Sequence, residues 1–154
     1  MEYLKELRDY LERSGKKMTI ERIEILNAVV KLSQKKETKG GIRHFNAKDV
    51  HAQIKLENSP LSLATVYRSL PILAEAGVIT EVAKRGGKMI YELVSDRAHH
   101  DHIICIECGA IIEFENKEIE RLQEEVCRQF NFEMTSHNLS ITGRCAVCRV
   151  KFSK

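Results

Sequence analysis

The sequence predicts an α+β chain, with a winged helix-turn-helix over residues 1–94 and a small α/β domain over residues 95–154. Three observations predict it. Four stretches of helical apolar spacing fill the first half and give way to a basic hairpin around Gly86-Gly87. Charge divides unevenly: residues 1–94 carry 17 Lys+Arg against 12 Asp+Glu, whereas residues 95–154 carry 8 against 10. All five cysteines lie in that acidic second half, with three of the six histidines packed into four positions, His99-His100-Asp101-His102.

The bulk composition, 43% hydrophobic and 31% charged over 154 residues, is that of a globular chain. No apolar run approaches the ~18 residues a membrane span needs. The first six residues, Met1 to Glu6, lack the apolar core of a secretory signal, so a cytoplasmic location is expected. In a reducing compartment, paired cysteines hold zinc more often than they form disulfides.

Leu4, Leu7 and Leu11 space a first helix over residues 3–13, which Ser14-Gly15 ends. Thr19 can cap a second helix with Ile20, Ile23, Leu26 and Val30 on its apolar face. Residues 33–42 are polar and lysine-rich and read as a loop. Asn46, with Asp49 three positions on, forms a capping-box pattern for a third helix reaching about Leu56. Asn58-Ser59-Pro60 is a turn. Ser62 or Leu63 opens a fourth helix that ends at Gly77 and bends at Pro71, which cannot donate to the carbonyl of Tyr67.

Two β-rich stretches follow, Val78–Val82 and Met89–Val94, joined through Arg85-Gly86-Gly87-Lys88. Helix, turn, helix and basic hairpin together make a winged helix, whose fourth helix would enter a DNA major groove. Tyr67 and Arg68 lead on that helix. Arginine clamps a phosphate or a guanine edge, and tyrosine meets thymine methyls or a phosphate. The competing reading packs Tyr67 in the core and leaves Arg68 merely solvated.

The polar stretch 95–98 marks the domain boundary. Beyond it, His102–Ile106 and Ala110–Phe114 read as paired strands and residues 117–130 as a helix with Ile119, Leu122, Val126 and Phe130 on one face. Residues 133–141 read as a third strand. Cys127, beside Val126, reads as a buried small hydrophobe. About 55 residues make a marginal core, so metal and dimerisation are expected to help stabilise it.

Cys105-x-x-Cys108 and Cys145-x-x-Cys148 form a closed thiolate set, the pattern of structural zinc. The competing reading is a pair of disulfides or free thiols. On a strand, His100 and His102 point to one side and His99 and Asp101 to the other, which suggests two further sites. Glu113, Glu120 and His137 are available to complete them, but spacing does not assign the partners. Solvated surface histidines are the alternative.

Several segments together resemble the ferric uptake regulator (Fur) family over nearly the full length. They are Leu63-Ala64-Thr65-Val66-Tyr67-Arg68, Gly86-Gly87-Lys88 before Tyr91-Glu92-Leu93, His99-His100-Asp101-His102, Cys105-Ile106-Glu107-Cys108-Gly109, and Cys145-Ala146-Val147-Cys148. The resemblance implies a metal-dependent repressor, a winged-helix DNA-binding domain followed by an α/β dimerisation domain. It would bind palindromic double-stranded operator DNA as a homodimer, with tetramers left open, and would not be an enzyme. It further implies structural Zn²⁺ on Cys105, Cys108, Cys145 and Cys148. A regulatory site bridging the domains is implied on His44, Glu92, His100, His102 and Glu113, and an additional site on His99, Asp101, Glu120 and His137. DNA contacts are implied at Lys17, Tyr67 and Arg68. His51 is left over.

Peroxide sensors of the family favour Asp at the regulatory carboxylates, and zinc sensors tend to place a Cys there. Glu92 and Glu113 therefore fit Fe²⁺ and iron homeostasis better. Mn²⁺ or Zn²⁺ can substitute at nitrogen and oxygen ligands, so a manganese-responsive regulator stays open. The rival from another class is a metal-dependent hydrolase, in which a histidine–carboxylate cluster activates water. No separate nucleophile or general base stands out for it. A plain zinc-stabilised interaction module is the third reading.

Overall fold

A computed structural model describes residues 2–34, 44–94 and 100–151. Most of the expected loop at 33–42, the expected boundary at 95–98 and His99 fall outside the described residues. The chain divides into two compact units, Met1–Asp96 and Arg97–Lys154.

The first unit consists of α1 (Glu2–Arg13), α2 (Ile20–Gln34), α3 (Ala47–Leu56), α4 (Leu63–Glu75), β1 (Ile79–Arg85) and β2 (Lys88–Leu93). Its core draws Leu7 and Leu11 from α1, Ile25 and Val29 from α2, Val50 and Ile54 from α3, and Val66, Leu70 and Leu73 from α4. Burial of each such side chain contributes roughly 1.5–3 kcal/mol. The α1 stop is a Schellman turn: Gly15 sits at φ +66°, and the Lys16 N–H reaches back to the Leu11 carbonyl at 2.8 Å.

The apolar face expected for α2 needs correcting. Ile20 is 73% exposed, and the buried set is Ile25, Leu26, Ala28, Val29 and Leu32. The helix packs against α1, α3, α4 and β2 at once, so more than one stripe is covered, whereas Ile20, its first residue, is left to solvent.

The Asn46 side chain accepts from the Lys48 N–H at 2.9 Å, and Asp49 accepts from the Asn46 N–H at 2.9 Å, completing the capping box of α3. Ser62 is the cap of α4, its hydroxyl accepting from the Thr65 N–H at 3.2 Å. Pro71 lies inside α4 without ending it. His51 on α3 bonds the Leu61 carbonyl at 3.2 Å, bracing the turn just ahead of that cap.

β1 and β2 form an antiparallel hairpin with Arg85 opposite Lys88. Gly86 and Gly87 both sit at positive φ, +52° and +75°, which a two-residue turn of this kind requires. β1 runs three residues beyond the expected end at Val82. An isolated antiparallel bridge joins Phe45 to Tyr91.

The second unit consists of β3 (Asp101–Cys105), β4 (Ile111–Phe114), α5 (Lys117–Gln129), β5 (Ser140–Gly143) and α6 (Ala146–Lys151). The sheet order is β4-β3-β5, with β4 antiparallel and β5 parallel to β3. The third strand is thus Ser140–Gly143 rather than 133–141. Parallel pairing with His102–Cys105 needs the chain to return to the start of β3 first, and residues 133–139 make that return. Cys127 is half-buried, not buried, because α5 buries none of its residues within the chain. Among the described residues, no helix is long and apolar enough to cross a membrane.

Candidate metal centres and nucleic-acid face

The four paired cysteines meet at one end of the second unit. β3 delivers Cys105, a turn with Gly109 at φ +68° returns Cys108, and the start of α6 brings Cys145 and Cys148. Their sulfur atoms all lie within 4.8 Å of one another, and Cys108 Sγ is 3.8 Å from Cys145 Sγ. A tetrahedral zinc with Zn–S of about 2.3 Å sets sulfurs about 3.8 Å apart, so the set fits zinc. No disulfide links these residues.

The Cys105 thiol is brought down to about 6, first by the Cys145 backbone N–H and then by that of Cys108. The Cys145 backbone nitrogen stands 3.4 Å from the Cys105 sulfur. Burial, with three thiols crowded around it, pushes Cys148 up to about 12. Backbone donors thus favour the Cys105 thiolate, whereas burial disfavours that of Cys148.

A second cluster forms where α5 and the return segment meet β3. His137 Nε2 lies 3.3 Å from Glu120 Oε2 and 3.7 Å from Asp101 Oδ1. Asp101 is 1% exposed. A carboxylate so deeply buried is costly unless compensated, and a divalent cation with nitrogen and oxygen ligands compensates it. Asn116 caps α5 and so orients Glu120 in its first turn. Of the four residues expected here, the structure joins three, and His99 lies outside the described residues.

The remaining expected ligands fall into one set per unit. In the first unit, the Phe45–Tyr91 bridge, with N···O distances of 2.9 and 2.8 Å, places the flanking His44 and Glu92 together. His44 Nε2 is 3.3 Å from Glu92 Oε2. In the second, the His100 and His102 rings meet edge-on at 5.0 Å, and His102 is the register partner of Glu113.

The expected DNA contacts all face outward. Tyr67 is 45% exposed, which removes the core reading, and Lys17 and Arg68 are exposed. Thr19, Arg22, Ser62 and Thr65 line a cleft beside Arg68. Arg22 went unrecognised in the sequence. Its guanidinium donates to the Lys17 carbonyl five positions earlier, a link that helical periodicity cannot reveal.

The ferric uptake regulator family model matches residues 13–142. The Vibrio anguillarum ferric uptake regulation protein is 36% identical over 136 residues, spanning 88% of this chain and 85% of that one. A structure of the ferric uptake regulator from Francisella tularensis with iron superimposes with a TM-score of 0.66 at 36% identity, covering 88% of this chain and 96% of that one. The Helicobacter pylori ferric uptake regulator, whose structure reveals three functional metal binding sites, superimposes with a TM-score of 0.70 at 28% identity, covering 96% and 92%. The chain therefore belongs to the ferric uptake regulator family of transcription regulators.

Proposed function

We propose that this chain is a metal-dependent repressor that binds palindromic operator DNA as a homodimer when loaded with Fe²⁺, and so controls iron homeostasis in the cytoplasm. The observation that carries this reading is a division of ligands. The winged-helix unit pairs His44 with Glu92. The second unit supplies His100, His102 and Glu113. Neither set fills the coordination sphere of a first-row divalent ion, whereas the two together do.

In the metal-free protein, Glu92 and Glu113 resist approach; two carboxylates at 4 Å repel by about 4 kcal/mol at an effective dielectric of 20. A bound divalent ion supplies the positive charge that offsets this repulsion. His44, Glu92, His100, His102 and Glu113 would be the residues that hold that ion, and Lys17, Tyr67 and Arg68 of each copy would then meet one half-site. Mn²⁺ or Zn²⁺ can substitute at such ligands. Zn²⁺ on the four thiolates has a structural role, and Asp101, Glu120, His137 and His99 hold a further ion. The three metal sites of the Helicobacter pylori relative support a division into three. The homodimer is supported by α5, whose Leu122, Val126 and Phe130 are exposed in the single chain.

The test selects duplexes from a random pool with Mn²⁺-loaded protein and measures their affinity with and without Fe²⁺ or Mn²⁺. Binding that needs the ion supports the switch, and equal affinity in both states refutes it. His100→Ala is expected to lose metal-dependent binding while keeping its circular-dichroism spectrum.

A further inference from the structure

The short loop between α1 and α2 carries two adjacent lysines with different surroundings. Lys17 is exposed. Lys16 is engaged: its ammonium donates to the Tyr10 hydroxyl at 2.9 Å and to Glu75 Oε2 at 2.9 Å. The Tyr10 hydroxyl donates in turn to the same Glu75 oxygen. Three groups from three places in the chain thus close a triangle. Tyr10 stands on α1, Lys16 in the loop, and Glu75 is the last residue of α4. Tyr67 and Arg68 stand on that same helix, about two turns before Glu75.

The loop is held on the far side of Lys17 as well. Arg22 on α2 donates to the Lys17 carbonyl, and Met18 packs against the core. The Lys16 backbone N–H is committed to Leu11. Lys17 is therefore a free cationic arm on a backbone pinned before and after it.

The triangle has little to do with folding. The Lys16 and Glu75 side chains are 37% and 53% exposed, and ion pairs so open to solvent contribute little to stability. Buried Leu7 and Leu11 anchor α1 without it. What the triangle does set is a distance, that between the Lys17 loop and the recognition helix.

We propose that Tyr10, Lys16 and Glu75 are positioning residues that clamp the α1–α2 loop to α4, so that Lys17 and the Tyr67–Arg68 pair meet one duplex in a fixed relation. This rests on the DNA-binding role proposed above. It also divides the labour of the two lysines: Glu75 neutralises Lys16, which leaves Lys17 to face the nucleic acid.

The experiment uses the full-length Mn²⁺-loaded protein and a duplex that it has itself selected from a random pool. Tyr10→Phe keeps the ring and removes the hydroxyl at the centre of the triangle. Affinity is expected to fall about 3- to 10-fold, the range that the net worth of one hydrogen bond converts to. The melting temperature should stay within about 2 °C. Glu75→Gln should give the same loss. In a Lys17→Ala background, which itself lowers the salt slope by about 1, Tyr10→Phe should weaken binding no further.

Wild-type affinity in both Tyr10→Phe and Glu75→Gln would overturn the clamp. So would an undiminished Tyr10→Phe loss in the Lys17→Ala background, since the effect would then not run through Lys17. If Lys17→Ala alone binds as wild type, the assignment of Lys17 as a contact fails and the clamp fails with it. Selection of no duplex at all would instead overturn the proposed function.

Discussion

The two units are held together by different means. Every residue of the large apolar cluster lies in the first unit, where four helices and a hairpin cover one another. Among the described residues of the second, the buried side chains are Asp101, His102, Ile104, Cys105 and Cys148. Four of those five are metal-ligand types. α5 buries nothing within the chain, and all four residues of β5 are exposed. The first unit has a hydrophobic core of its own, whereas the described residues of the second bury mostly candidate ligands and leave Leu122, Val126 and Phe130 of α5 exposed. A domain of this size rarely closes a core by itself, and here four of those five buried side chains are of types that bind metal.

The strongest way to break that contrast is to remove the proposed zinc ligands. Cys148→Ser should strip the four-thiolate site, which can be worth about 10 kcal/mol or more of folding free energy. In a ¹H–¹⁵N correlation spectrum, signals from Arg97–Lys154 should collapse while those from the first unit keep their dispersion. A second unit that stays folded with no zinc bound would undo the contrast.

The converse experiment is smaller. Leu70→Ala empties a buried site on α4 and should cost the first unit about 2–5 kcal/mol. Zinc content, read by elemental analysis, should not change. Smaller again is Asn46→Ala, which removes the α3 cap and should cost about 1 kcal/mol in urea unfolding of the first unit.

The smallest expected effect is electrostatic. The Tyr10 hydroxyl, and then Lys16, hold the Glu75 carboxyl below its ordinary 4.5. A carboxyl lowered in the folded state stabilises it fully above its unfolded value, and that contribution is lost as pH falls through the lower folded value. Wild-type urea stability should therefore decline below pH 4.5 more steeply than that of Glu75→Gln. Because the group is exposed, the difference will be slight, and parallel acid limbs would show that the triangle carries no linkage at all.

Much of this could be read from short stretches. The Leu4, Leu7 and Leu11 spacing, the Asn46–Asp49 cap and the Gly86-Gly87 turn each act over a few residues, where backbone geometry leaves few options. The two Cys-x-x-Cys pairs likewise point to a thiolate cluster, and their four sulfurs lie within 4.8 Å of one another. Local spacing misleads where a segment has several neighbours or few. α2 buries more than one stripe because four elements surround it, and Cys127 is half-buried because residues 132–139 cover α5 only in part.

By itself, the sequence determined which side chains could bind a cation, where helices begin and stop, and which half carries the positive charge. These depend on side-chain chemistry and on hydrogen bonds a few residues apart. Only the tertiary structure decided that His44 faces Glu92, that Asp101 shares His137 with Glu120, and that Lys16 rather than Lys17 is neutralised by Glu75. Strand register and helix docking create those pairs. Both arise from burial summed over whole elements, which local spacing does not encode.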